Sequence, residues 1–585
     1  MVSAPLTITL TAQTITYLKG ESGFEEGCVA AMKLNHIGRC AVAPILTVLS
    51  LLIAACGGSS SSAPRAPASV PAPAPTTPPP SGPTWTPGVY ASSATFKDQC
   101  AAPRSGVDID GNPFPDRLGS TTIENFWLRS WTNETYLWND EVTDRNPADF
   151  NDRVAYFELL KTEQTTASGK PKDDFHFSEP TADFLARRNS APAADYGARY
   201  IVASTTVPRD YRIAYTDPGT PASTEVAGLA NFVRGARILE IDGVDLVNAT
   251  SAAEVEILND GLFPRTAGEM HSFVVEDPGA APRTVVLTSA NLSRKPVNMT
   301  KVITTPSGPV GYVLINTLSP FASEMEIADA IESLDTPGVS DLILDLRYNG
   351  GGLLAVASQL GFMIAGSSQT SGKTYEALRF NADAGAFNPV TGAPNTPLPF
   401  IDTGVGFSVP DGDPLPSLDL GRVFILATEN TCSASESIVN SLRGIDVEVI
   451  LIGSATCGKP FGFFPQDNCG ETYYTIQFQG VNDKGFGDYA DGFHPANTSA
   501  SFGVFVPGCA VDDDLVTELG DETEAMLAAA LQYRDSGTCP TPTGPSASSS
   551  SGITVSSVSA GTTPAMRMPS SGDIFETNRD MTGIE

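Results

Sequence analysis

The sequence predicts a multidomain α/β protein built from a helical N-terminal cap, a small β-rich domain and an α/β core. Three observations carry this. Over residues 296–535 apolar strands alternate with amphipathic helices, the pattern of a largely parallel sheet covered by helices. Over residues 196–295 short β-type runs are separated by turn signals such as Asp217-Pro218-Gly219-Thr220. Over residues 85–195, Trp127, Trp131 and Trp138 fall at i, i+4 and i+11, one face of a helix over 123–141. The chain has 585 residues, 41% hydrophobic and 17% charged, enough apolar material for ordinary cores.

The elements follow in order. Residues 1–31 precede a better start at Met32 and read as an over-extension of the reading frame upstream of the true start. Residues 32–55 read as a secretory signal, with Lys33 and Arg39 before the apolar stretch 40–55, which is short for a bilayer span of ~20 residues. It ends in Leu52-Ile53-Ala54-Ala55-Cys56-Gly57, which resembles the bacterial lipoprotein box and implies cleavage before Cys56 and lipidation of its thiol. An ordinary signal peptide with an accidental cysteine is the plainer alternative. Residues 56–84 form a Ser/Pro-rich tether with a reach of roughly 80 Å. Gly57 points, by analogy with lipoprotein sorting, to the outer membrane. The expectation is an exported, lipid-anchored protein, periplasmic or at the cell surface. Residues 536–585 are Ser/Thr/Gly/Pro-rich and read as a disordered tail.

Within residues 196–295 a strand is expected over 199–204, a short helix over 225–231 and a strand over 237–244. The order Pro218-Gly219-Thr220-Pro221-Ala222, Ala227-Gly228-Leu229, Arg234-Gly235 and Asp242-Gly243 resembles a PDZ domain, which would take an extended peptide by β-augmentation. Ala236 stands where many such domains have Asp. In the core, strands are expected over 310–316, 341–346, 423–427 and 447–452, and helices over 322–334, 353–364 and 434–443.

The net charge of −32 opposes a nucleic-acid partner. Four histidines leave little for His-based metal or acid–base chemistry, and His176, His271 and His494 sit in no shared motif with a nucleophile. They read as solvated loop residues. Neither a metal nor a cofactor is expected; the loop Gly487-Asp488-Tyr489-Ala490-Asp491-Gly492 matches no EF-hand spacing. After Cys56, six cysteines remain (100, 432, 457, 469, 509 and 539). In an oxidising compartment an even number favours disulfides, with 15 pairings possible.

Three segments carry chemistry. Thr431-Cys432-Ser433-Ala434-Ser435-Glu436 lies between a buried strand and a helix, where free amides gather. An attacking Ser433 Oγ there develops its oxyanion beside those amides. The same Ser433-x-x-Glu436 is a capping box that needs no catalysis. Lys459 follows the next strand and can return beside Ser433. As a general base it must be neutral, a fall of roughly three units from ~10.4, or about 4 kcal/mol; Phe461, Phe463 and Phe464 offer apolar surroundings. Asp345-Leu346-Arg347-Tyr348-Asn349-Gly350-Gly351-Gly352 ends a buried strand in glycines that can turn an amide toward a ligand.

Together, in this order and behind a PDZ-like domain, the segments resemble the C-terminal processing (tail-specific) serine peptidases. The resemblance implies a crotonase-like ββα core. It also implies Ser433 as nucleophile, Lys459 as base, and oxyanion donors at the amides of Ala434 and of Gly350 or Gly351. The implied partners are protein or peptide substrates with apolar C-termini, plus a membrane through the lipid anchor. Many members carry Gln four residues after the lysine; here Phe463 stands there, Pro460 follows the lysine, and Gln466 lies three further on. Cys432 is a rival nucleophile. The alternative function is a PDZ-type peptide-binding lipoprotein with a catalytically inactive core.

Overall fold

The structure is a computed structural model and describes residues 82–541 and the strand Asn578–Asp580. The signal, Cys56 and most of the tether and tail lie outside the described residues.

The cap opens with α1, Thr121–Thr135, whose first turn is closed by the Ser120 side chain accepting from Ile123 N–H. The helix ends at Thr135 because Tyr136 is extended, not at 141 as expected; residues Asn139–Glu141 make only a 3-10 turn. Trp127 and Trp131 share a face as expected and stack at 5.2 Å, packing against Phe157 and Tyr473. Trp138 has left the helix and meets Phe461 edge-on at 4.8 Å. Only three α-helices, Thr121–Thr135, Arg153–Phe157 and Thr181–Arg188, occur in this region, so the expected helical cap is largely loop. Its strand Phe177–Pro180 pairs with Glu471–Tyr474, and Cys100 is bonded to Cys469, so the cap is stitched to the core. His176 is not a solvated loop residue. It is buried against Phe157 at 3.8 Å, meets Phe157 O through Nε2 at 2.9 Å, and its pKa is lowered by burial to about 4.

The second region is an antiparallel sheet. Its strands are β1 (Ala198–Ser204), β2 (Asp210–Thr216), β3 (Arg237–Ile241), β4 (Met270–Glu276) and β5 (Arg283–Thr288), in the order β5-β4-β3-β2-β1. Helix α2, Ala252–Leu262, starts at a complete Ser251–Glu254 capping box and contributes Val255 and Leu258 to the core of the domain. The helix expected over 225–231 is instead a hairpin, Glu225–Val226 with Leu229–Ala230. Ala227 and Gly228, at φ 55° and 83°, form the two-residue left-handed turn that such a hairpin requires. Arg234 and Gly235 face the core. Arg234 donates to Tyr348 Oη at 2.7 Å and pairs with Asp513, and a Cβ on Gly235 would stand 1.7 Å from Leu515 O.

The core sheet comprises β6 (Val297–Thr305), β7 (Gly308–Ile315), β8 (Leu342–Asp345), β10 (Arg422–Ala427), β11 (Glu448–Gly453) and β12 (Gly508–Ala510), with a short β9 (Gly351–Leu353) set apart. The order is β6-β7-β8-β10-β11-β12, parallel except for the β6–β7 hairpin. Alternation sorts the apolar residues. Leu342, Leu344, Val423, Ile425, Val449 and Leu451 face α3 (Ser323–Leu334), α4 (Leu354–Ala365) and α5 (Ala434–Gly444). Ile343, Phe424, Leu426, Ile450 and Ile452 face α6 (Ala525–Ser536) and the second domain. Burial on both faces is why these strands read as near-continuous apolar runs.

Below the carboxyl end of β8 lies a buried ionic cluster. The Arg347 guanidinium spans Asp345 (2.9 Å), Glu524 (2.8 and 2.9 Å) and Asp513 (3.0 Å), and Tyr312 Oη donates to Asp345 at 2.9 Å. Arg347→Met should lower stability by about 3–5 kcal/mol, because carboxylates stay buried without their cation; Arg347→Lys should recover only part, lacking the planar fork. Thermal melts of the two variants check this.

His176 sets a pH dependence. Its folded pKa lies below the unfolded value, so its contribution is whole above pH 6.5 and is lost as pH falls through about 4. Stability on the order of 3 kcal/mol should disappear over that window, and His176→Gln should flatten the curve of melting temperature against pH there. An unchanged curve contradicts the assignment.

Candidate active site

Strands β8, β10 and β11 are neighbours and parallel, in register Asp345↔Leu426 and Ala427↔Gly453, so their carboxyl ends emerge side by side. This is where an open parallel sheet presents its ligand crevice. The three segments picked out in the sequence are the three loops leaving these ends. The loop after β8 carries Gly350 and leads into Gly351 at the start of β9, the loop after β10 carries Ser433 at the start of α5, and the loop after β11 carries Lys459.

The first two loops are stitched together. Asn349 O accepts Cys432 N–H at 3.1 Å and Ser435 Oγ at 3.0 Å, Thr431 Oγ1 donates to Leu346 O at 2.8 Å, and Thr428 Oγ1 donates to Arg347 O. Ser433 itself sits at φ 59°, ψ −113°, a strained backbone for a non-glycine residue. Strain of this kind turns a side chain out of the helix it begins, as in a nucleophile elbow.

The capping-box reading of Ser433-x-x-Glu436 holds only in part. Ser433 N–H donates to Glu436 Oε2 at 2.9 Å, but Ser433 Oγ is buried without a hydrogen-bond partner among the described residues. A buried hydroxyl left open in this way calls for an explanation. Glu436 has other partners in the third loop. Its Oε1 accepts Thr456 Oγ1 at 2.5 Å and Gly458 N–H at 2.9 Å, and its Oε2 accepts Lys459 N–H at 2.8 Å. One carboxylate oxygen therefore takes the amides of both Ser433 and Lys459. Glu436 is fully buried; burial pushes its pKa up, against hydrogen bonds from Thr456, Lys459, Ser433 and Gly458 that pull it down.

Lys459 is also fully buried, its Nζ lying 4.6 Å from the Phe175 ring centroid and 4.9 Å from that of Phe463. Phe463, at the position of the family glutamine, is thus one wall of the lysine pocket. Gln466 turns away, Nε2 to Asp467 O at 3.4 Å. The lysine loop is held by Cys457 N–H to Thr431 O at 3.1 Å and by the Cys432–Cys457 disulfide. Gly458, at φ 88°, has Ala490 O where a Cβ would come within 2.3 Å.

Of the oxyanion candidates, Gly351 N–H donates to Asn349 Oδ1 at 3.0 Å. The amides of Ala434 and Gly350 donate to no group among the described residues. Cys432 is disulfide-bonded, and among the described residues no histidine hydrogen-bonds Ser433 Oγ. His271 Nδ1 meets Asp242 at 2.6 Å and His494 Nε2 meets Asp491 O at 3.0 Å. Asp491 accepts Thr166 Oγ1 at 2.9 Å, which gives that carboxylate a protein partner in the 487–492 loop. The sequence missed the linking role of Glu436, whose only local signal was its spacing from Ser433, and the Phe175 wall, for which no signal existed.

The sequence profile of peptidase family S41 matches residues 309–466, a span that contains Gly350, Gly351, Ser433, Ala434 and Lys459. No curated protein matches the chain. Among solved structures, a candidate S41 protease of Bacteroides fragilis NCTC 9343 is similar at 22% identity and TM-score 0.51, covering 70% of this chain and 97% of that one, which shows a common fold. The photosystem II D1 C-terminal processing protease is similar at 18% identity and TM-score 0.38, covering 65% of this chain and 92% of that one. Residues 309–466 thus form a peptidase family S41 domain, the domain of the C-terminal processing peptidase family, a family of serine-type peptidases.

Proposed function

We propose that the protein is an exported serine endopeptidase that cleaves protein substrates near their C-termini, with Ser433 as nucleophile and Lys459 as general base. The observation that carries this reading is the shared Glu436 oxygen, which brings the amides of Ser433 and Lys459 to one point while Ser433 Oγ stays unbonded. Neutral Lys459 takes the Oγ proton as the oxygen attacks the scissile carbonyl. The amides of Ala434 and Gly350 receive the oxyanion, and the lysine returns the proton to the leaving amine. Water then attacks the acyl-enzyme by the same proton route.

The substrate seat follows from backbone accounting. Leu318 N–H donates to Gly351 O at 2.9 Å and Leu353 N–H to Leu318 O at 3.0 Å. Alternation leaves the N–H and C=O of Gly352 on the opposite edge of β9. The strand Asn578–Asp580 of the same chain runs parallel along β9, so this edge accepts an extended segment. The second domain, read as PDZ-like, would hold an apolar C-terminal tail. Three disulfides among the described residues suit an oxidising compartment, and Cys56 would supply the lipid anchor. Phe463 in place of the glutamine favours the alternative, a peptide-binding lipoprotein with an inert core.

Ser433→Ala and Lys459→Ala should each fold and lose about 10²–10⁴-fold or more in kcat, and the double variant should be no worse than either alone. Peptide hydrolysis by the purified wild type and variants checks this; undiminished turnover by Ser433→Ala refutes Ser433 as nucleophile, and no turnover by the wild type favours the inert-core alternative. Full-length Ser433→Ala should bind a fluorescent peptide with a free apolar C-terminus more tightly than its C-terminal amide, and equal binding argues against tail recognition. Cys56→Ala should move the protein from the membrane fraction to the soluble one; unchanged fractionation removes the anchor.

A further inference from the structure

We propose that the Cys432–Cys457 disulfide positions the base against the nucleophile, and that its thiol–disulfide state gates the peptidase: bonded it is competent, reduced it is not. The inference rests on the Ser433–Lys459 reading.

Placement makes the argument. Cys432 is the residue before Ser433, and Cys457 lies two before Lys459. The bond, with Cα atoms 5.2 Å apart, is therefore a covalent strap between the loop that carries the nucleophile and the loop that carries the base. The other two disulfides do other work. Cys100–Cys469 joins the cap to the core, and Cys509–Cys539 joins β12 to the segment after α6. Neither adjoins Ser433 or Lys459 in the chain.

Two features tie the strap to chemistry as well as to folding. Ser433 holds a left-handed backbone at φ 59°, which persists only while its surroundings over-determine it, and the strap is one of those restraints. Cys457 Sγ lies 3.3 Å from Glu436 Oε2, the oxygen that accepts both the Ser433 and the Lys459 amide. A sulfur in a disulfide has no proton to give. Reduced, it carries an S–H and becomes a third donor at that oxygen, in competition with the two amides that set the geometry.

The redox step has one way in. Cys432 is fully buried and Cys457 is partly exposed, so a dithiol reaches the Cys457 sulfur. Its thiolate attacks Cys457 Sγ, the S–S bond breaks, and Cys432 leaves as a thiolate that takes up a proton. The second thiol of the reagent then closes on the mixed disulfide and releases Cys457 as a thiol. The protein gains two electrons and two protons, and the dithiol becomes a cyclic disulfide.

The test titrates the purified full chain with dithiothreitol, maps freed cysteines by alkylation and mass spectrometry, follows the fold by circular dichroism, and measures kcat and KM on a peptide before and after re-oxidation. As Cys432 and Cys457 become alkylatable, kcat should fall about 10²-fold with KM within about twofold, and re-oxidation should restore it. Cys432→Ser/Cys457→Ser should fold, sit at the low kcat and ignore the dithiol, whereas Cys100→Ser/Cys469→Ser should still respond. The inference is overturned if kcat is unchanged once Cys457 is alkylated, if the loss follows another cysteine pair, or if the bond opens only on global unfolding. A fully active Cys432→Ser/Cys457→Ser beside an inactive Ser433→Ala defeats this inference alone. A fully active Ser433→Ala defeats the dyad reading beneath it.

Discussion

The Glu436 carboxylate is the constraint on which the site depends. Taking such a group out of water costs several kcal/mol, and a buried carboxylate persists where donors fill its lone pairs. Here the donors are the amides of Ser433, Gly458 and Lys459 and the hydroxyl of Thr456. Each of these must stay where it is for the charge to be satisfied. The desolvation of one side chain on α5 thereby holds the lysine loop against the serine. The strained Ser433 backbone, the stitched loops after β8 and β10, and the strap between Cys432 and Cys457 all lean on the same point.

The sheet supplies the precondition. Because β8, β10 and β11 are adjacent and parallel, three segments far apart in the chain leave the sheet at one place. The Arg347 cluster holds the loop after β8 from beneath and, through Arg234 and Asp513, joins it to the second domain. A peptide tail held in that domain would thus sit on a body directly bonded to the loop that bears Gly350.

The core was legible because strands buried on both faces leave a period-free apolar run that little else produces, and because loops at strand ends announce themselves in Gly and Ser. Two elements misled for local reasons. The tryptophan spacing continued past the point where Tyr136 turns extended, so α1 was drawn six residues too long. The stretch 225–231 looked helical in composition, but Ala227-Gly228 could take both left-handed turn positions, and a hairpin formed. Glu436 looked like a cap because Ser-x-x-Glu is local, while its other donors come from a loop some twenty residues on. The cysteine pairings, the Phe175 wall and the burial of His176 are products of tertiary packing with no trace in spacing or composition.

The central claim, that Ser433 is a nucleophile activated by Lys459, is met most directly by the site and rate of covalent capture. The wild-type chain and Lys459→Ala would be treated with a fluorophosphonate, digested and mapped by mass spectrometry as a function of time. The account predicts a single adduct on Ser433, formed about 10² times or more slowly when Lys459 is absent. An adduct on Ser435 or elsewhere in place of Ser433, or capture of Ser433 at an undiminished rate without Lys459, would contradict it.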